Sequence, residues 1–182
     1  RFTFYGTRAD GNLNGNVSYN IPINTWGGRI GASYTQGRIK IIQGSFQTLD
    51  ITGQSRAAGV NFSQPLFVTD AWLLQANLAD TYSISQSDLS QVRITDDRSN
   101  KQTLGVSLTN SGSDYSLTVS PAVNFVQYHS EVTDIDRPLT IYSGTWNALV
   151  RLPANFSISA LGSAQYTTAK LLPGDQLFQI GG

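Results

Sequence analysis

An all-β chain, an antiparallel meander of about nine strands taken from a transmembrane β-barrel, is what this sequence predicts. Three observations predict it. Apolar residues recur with period two over long stretches, aromatic rings stand ten positions apart on the same faces, and turn signals separate the stretches at intervals. From Trp72 the even positions read Trp72, Leu74, Ala76, Leu78, Asp80, Tyr82; from Tyr115 the odd ones read Tyr115, Leu117, Val119, Pro121, Val123, Phe125; from Phe156 the even ones read Phe156, Ile158, Ala160, Gly162, Ala164, Tyr166. No helical periodicity of comparable length competes with these.

Each face opens and closes on an aromatic: Trp72 and Tyr82, Tyr115 and Phe125, Phe156 and Tyr166. Ten residues at about 3.3 Å span roughly 33 Å. At a tilt of about 45° that is some 23 Å of height, close to the ~25 Å apolar band between the aromatic girdles of an outer-membrane barrel. These six rings are therefore expected at the lipid interfaces. Strands of a soluble sandwich alternate too, but they usually run only about 5–6 residues. Asp80 on a lipid-facing surface is tolerable only near a boundary, and Pro121 inside a strand predicts a bulge or local break.

Taken in order, "NTWGG" (Asn24–Gly28) is a short turn, the region around "DITGQ" (Asp50–Gln54) a longer loop, and "PLFVT" (Pro65–Thr69) short again. Ser83–Asn100 is expected to be a long loop with "TDDRSN" (Thr95–Asn100) as a solvated tip. Strands near 101–110 and 114–127 are joined by the tight "NSGS" (Asn110–Ser113) and followed by the longer "HSEVTDIDRP" (His129–Pro138). "LPAN" (Leu152–Asn155) is tight, and the segment after Lys170 opens another long loop. Short periplasmic turns alternating with long extracellular loops are the habit of outer-membrane barrels.

The polar positions of the last two strands, Ser143, Thr145 and Asn147, then Ser157, Ser159, Ser163, Gln165 and Thr167, are expected to face the lumen. Arg151 falls at a strand end and suits either the lumen or an interfacial anchor.

Composition narrows the chemistry. Hydrophobic residues make up 40% of the 182, mean hydropathy is −0.17, and the longest apolar runs are of the size of Trp72–Leu74 and Ala148–Val150. A spanning helix needs roughly 20 apolar residues in a row, so only strands could cross a membrane. There is no Cys, hence no disulfide or thiolate site. Lys plus Arg and Asp plus Glu are both 12, so no bulk charge draws the chain to nucleic acid. Without Met, Arg1 is not a translation start, and the chain is expected to be a processed or excerpted segment. His129 is the single histidine; beside Ser130 and Glu131 it lacks the geometry of a triad. Thr95–Asn100 has too few, irregularly spaced ligands for calcium. Neither catalysis, nor a metal, nor a cofactor is expected.

Three stretches carry a family resemblance: "YNIPINTWGGRIGASYTQG" (Tyr19–Gly37), "GVNFSQPLF" (Gly59–Phe67) and "LPANFSISALGSAQYTTAKLLPGDQLFQIGG" (Leu152–Gly182). They resemble the barrel of the two-partner secretion transporters, the haemolysin-activator and filamentous-haemagglutinin exporter family. That resemblance implies a sixteen-stranded barrel of which residues 1–182 form a part, beginning inside the barrel near its third strand and ending in the sixth extracellular loop, with POTRA domains and the remaining strands outside the chain. It also implies that Leu172, Pro173, Asp175, Gln176, Phe178, Gly181 and Gly182 belong to a loop that folds back into the lumen. The spacing from Leu-Leu-Pro to Gly-Gly is about one residue longer than the family form.

The function so implied is export, and possible activation, of a large secreted partner such as a haemolysin or adhesin, without ATP. The channel would be a monomeric barrel in the outer membrane of a Gram-negative bacterium, in contact with lipid and an unfolded polypeptide. Two alternatives stand beside it: a barrel-assembly insertase of the same superfamily, and a soluble β-sandwich binding module.

Overall fold

The computed structural model describes residues 1–42, 50–153 and 156–169. Nine strands follow one another: β1 (Phe2–Ala9), β2 (Asn12–Pro22), β3 (Arg29–Lys40), β4 (Ile51–Val68), β5 (Trp72–Leu89), β6 (Val92–Ser111), β7 (Tyr115–Ser130), β8 (Ile135–Arg151) and β9 (Ser157–Thr167). They form a single sheet in the order β1 to β9, every neighbour antiparallel. The described residues form no second sheet, so the sandwich alternative is overturned. All-β meander and strand number agree with the sequence expectation.

The registers connect the strands into continuous rows. One such row runs Phe4, Val17, Tyr34, Ala58, Tyr82, Asn100, Gln127, Pro138 across eight strands. Because side chains alternate along a strand, each row belongs wholly to one face, and the registers keep apolar rows in line with apolar rows.

The loop expectations need correction. Ser83–Asn100 is not a loop. β5 and β6 run on through it, pairing from Tyr82↔Asn100 to Leu89↔Val92, and close through Ser90 and Gln91 alone. Both turn residues have positive φ, 49° and 68°, the signature of a two-residue hairpin turn whose twist matches the strands. Thr95–Asn100 is accordingly paired strand, not a loop tip. "HSEVTDIDRP" likewise shrinks to a turn between Ser130 and Ile135.

The physical cause is that both faces of this distal end are mostly polar: Ser83, Ser85 and Ser87 occupy one, and Gln86 and Asp88 follow a single apolar residue, Ile84, on the other. A strand with polar residues on both faces shows no apolar alternation. The turn between Pro22 and Arg29 and the one between Ser111 and Tyr115 are short as expected. The "PLFVT" turn is short but shifted, because β4 continues to Val68 past a bulge at Pro65/Phe67. Most of the loop before "DITGQ" and the end of "LPAN" lie outside the described residues, and β4 itself begins at Ile51.

Pro121 produces the local break expected of it. The ladder from β7 to β6 passes from Gly105↔Ala122 directly to Leu108↔Val119, while the ladder to β8 continues through Pro121↔Gly144. Proline has no N–H to donate. A hydrogen bond from the Ser120 hydroxyl to Ser107 Oγ, 3.0 Å, bridges the gap.

Candidate functional site

The sheet has one apolar and one polar face. The apolar face gathers Leu74, Leu78, Leu104, Leu108, Val119, Val123, Tyr142 and Trp146. Most of its large side chains are exposed, among them Val60, Leu78, Leu104 and Ile158. Trp146 lies across Gly162, where any Cβ would collide with the indole, and Tyr142 packs on Tyr166 with ring centroids 6.2 Å apart.

Five of the six aromatics singled out in the sequence are on this face by register, Phe156 continues the alternation of β9 toward it, and all six are exposed. Phe156 stands just before β9 and the other five lie within strands. Tyr82 does not end its strand, since β5 runs on to Leu89.

Their register is informative. The row of Tyr82 reaches β7 at Gln127, whereas Phe125 is one rung lower; the row of Trp72 reaches β7 at Leu117, whereas Tyr115 is one rung lower. From β7 to β9 the same step recurs: the row of Tyr115 passes through Val150 to Ile158, one rung above Phe156. Both aromatic borders thus descend together by about one residue per strand. An offset of ~3.3 Å for every ~4.8 Å of lateral spacing corresponds to strands inclined at roughly 35° to the normal of the borders. Transmembrane barrels tilt their strands by about 35–45°. Asp80 sits one rung inside the upper border, beside Gln102.

On the opposite face the expected polar residues come together. Ser143 pairs with Gln165, Thr145 with Ser163, Leu149 with Ser159 and Arg151 with Ser157; Asn147 faces Leu161, and Thr167 faces Ile141. Arg151 therefore belongs to the polar face.

The polar surface extends across the earlier strands, where no sequence expectation had been made. Thr103 donates to Asn124 Oδ1 (2.8 Å), and Asn124 Nδ2 donates to Ser143 Oγ (2.9 Å) and to the Ile141 carbonyl (3.2 Å). Asn16 Nδ2 donates to Thr35 Oγ1 (2.8 Å), and Ser83 and Ser99 share a 2.7 Å hydroxyl pair. The alternation that identifies the apolar face in β5 and β7 identifies these residues equally, since they occupy the complementary positions.

One patch of the polar face is apolar, and sequence reasoning missed it. Val126, Leu139 and Ile141 are the buried hydrophobics among the described residues, at 1%, 7% and 3% exposure. Tyr128 and Ala169 pack against them. Ala169 follows β9, and its N–H reaches Thr167 Oγ1 (3.2 Å), whose own hydrogen goes to the Thr140 carbonyl (2.9 Å). The signal available was Phe125-Val126, two consecutive apolar residues in a strand that otherwise alternates.

His129 lies on the apolar side of the sheet at the distal end. Its Nδ1 is 2.8 Å from Asp136 and its Nε2 3.6 Å from Glu131. Ser130, the next residue, points to the other face, so the two cannot act together. Leu172, Pro173, Asp175, Gln176, Phe178, Gly181 and Gly182 lie outside the described residues.

The family model for the haemolysin secretion/activation protein ShlB/FhaC/HecB matches residues 3–182. No curated protein matches the chain. Among solved structures, CdiB from Acinetobacter baumannii is similar, with a TM-score of 0.71 at 20% identity, over 94% of this chain and 32% of that one. The chain therefore spans about a third of that protein's length, and the likeness is one of fold.

Proposed function

The chain belongs to the haemolysin secretion/activation family ShlB/FhaC/HecB, and on that premise we propose that it forms part of an outer-membrane channel exporting a secreted partner protein. The observation that carries the reading is the separation of faces: one side apolar between two parallel aromatic borders, the other a field of hydroxyls and amides broken by one small apolar cluster. The apolar side meets lipid and the polar side lines the conduit. At about 35° tilt, ten residues between borders give roughly 27 Å of height, close to the ~25 Å apolar band.

A lining of Ser, Thr and Asn offers an unfolded chain hydrogen bonds that form and exchange readily, which suits conduction: binding favourable enough to enter and weak enough to leave. The substrate is a haemolysin- or adhesin-like partner, moved without ATP through a single barrel in a Gram-negative outer membrane. Residues 1–182 are one portion of a barrel whose POTRA domains and other strands belong to the longer protein.

The segment after β9 carries the gate. Glycine accepts backbone conformations closed to other residues, which is the reason to test Gly181 and Gly182. In the intact protein, Gly181→Val with Gly182→Val is expected to leave outer-membrane insertion unchanged while reducing partner export and altering conductance in planar bilayers. Normal export with unchanged conductance would remove the gating role. Lost insertion would give the loop a folding role, as in a barrel-assembly insertase.

A further inference from the structure

The aromatic borders can be followed toward β1, where no ring marks the upper one. The Tyr82 row reaches β3 at Tyr34, so the same stagger places the border one rung higher, at Gln36. The Gln36 row runs through Gly15 to Gly6, and one further rung on β1 is Arg8. Arg56 shares the Gln36 row, and Arg38 and Lys40 lie one and two rungs beyond it. Four exposed cations of the apolar face thus stand at or just above the line where the apolar band ends.

Among the described residues most of them have no acidic partner. Residues 1–68 contain two acids, Asp10 and Asp50, both in turns. Asp50 holds Lys40 at 2.8 Å. Arg8, Arg38 and Arg56 make no ion pair or side-chain hydrogen bond among the described residues.

The other half of the same rim is built differently. Arg93 is held by Asp88 and Asp96, Arg98 by Glu131 at 3.1 Å, and His129 by Asp136. A cleft of about 400 Å³ lies between Arg8, Leu13, Arg38 and Lys40. Leu13, half exposed, stands in register between the two arginines.

We propose that the outer surface of β1–β4 at this border binds the phosphate headgroup of an anionic lipid in the adjacent leaflet. The proposal rests on the reading of the apolar face as lipid-facing. Guanidinium groups match phosphate oxygens in paired hydrogen bonds, and each cation at a membrane surface adds to the attraction for anionic lipid. Position selects lipid over a free anion. The cations begin where the apolar band stops, so a phosphate joined to acyl chains satisfies Arg8 and Arg38 together with Leu13 and Phe4, whereas inorganic phosphate satisfies the arginines alone.

The test uses the intact protein in zwitterionic micelles titrated with phosphatidic acid, bound lipid being counted by native mass spectrometry. Arg8→Gln, Arg38→Gln and Arg56→Gln combined should weaken retention about a hundredfold, the sum of three surface cations. The corresponding triple Lys variant, which keeps the charge but loses the paired hydrogen bonds, should bind between the wild type and the triple Gln variant. Arg98→Gln, which removes a cation already engaged by Glu131, should change retention less than about twofold.

Should the triple Gln variant fail the heat-modifiability assay for a folded barrel, Arg8→Gln and Arg38→Gln singly should each cost about fivefold. Undiminished binding in these variants, an equal loss in Arg98→Gln, or complete displacement by inorganic phosphate would overturn the lipid site. Wild-type protein that partitions into buffer rather than micelles would overturn the lipid-facing reading itself, a result distinct from loss of lipid selectivity.

Discussion

The two faces of this sheet share every backbone hydrogen bond, yet they are built on opposite principles. On the apolar face side chains such as Leu78, Leu104 and Trp146 are exposed and touch little beyond their row neighbours. On the polar face Thr103, Asn124 and Ser143 are tied to one another, and three apolar residues near the upper border form the buried cluster. A water-soluble protein inverts this arrangement, with apolar side chains packed and polar ones free. On the proposed reading, the difference follows from where each face finds its solvent. Apolar residues need no partner when lipid surrounds them, while polar residues lining a confined space gain by satisfying each other.

The comparison is broken most severely by moving a charge between faces at mid-height. Ala160→Arg places a cation midway between Phe156 and Tyr166 on the apolar face and is expected to cost about 2–4 kcal/mol, the midplane value for such barrels. Ser159→Arg, one residue away, points to the polar face and should cost far less. A folding titration of the intact barrel into lipid vesicles measures both, and equal costs would void the assignment of faces.

A smaller effect is expected where the polar face behaves like a core. Ile141→Ala removes a side chain only 3% exposed and should cost about 2 kcal/mol, the low end for a buried Ile because the cluster is small. Truncating the exposed Ile158 on the apolar face leaves no cavity and should cost clearly less in the same titration. Smallest is the hydrogen-bonded network: Asn124→Ala removes the links to Thr103 and Ser143 and should cost about 1 kcal/mol. Were it to cost as much as Ile141→Ala, the polar face would be a packed layer rather than a wetted lining.

Legibility in the sequence followed the same division. Between the borders one face is apolar and the other polar, so strand, face and aromatic positions could be read directly, as at Trp72–Tyr82. Above the upper border both faces are mostly polar, the period of two loses its contrast, and paired strand from Ser83 to Asn100 looks like loop. Ion pairs such as Arg98 with Glu131 depend on a register that brings β6 beside the turn after β7, and no local pattern reports that. The buried trio was hidden because Leu139 and Ile141 interrupt the polar positions just before Ser143, and only cross-strand pairing with Val126 gives them a common purpose.

Among the described residues, each strand is bonded only to the strands before and after it in the chain. Assembly of this region therefore requires no distant segment to be found. Once one hairpin exists, the next strand arrives already tethered at its edge, and the loop-closure entropy lost is small wherever the turn is short. Growth can proceed as a zipper from any of the tight turns, with Ser90-Gln91 a natural starting point because its loop is two residues long and its flanking strands are among the longest.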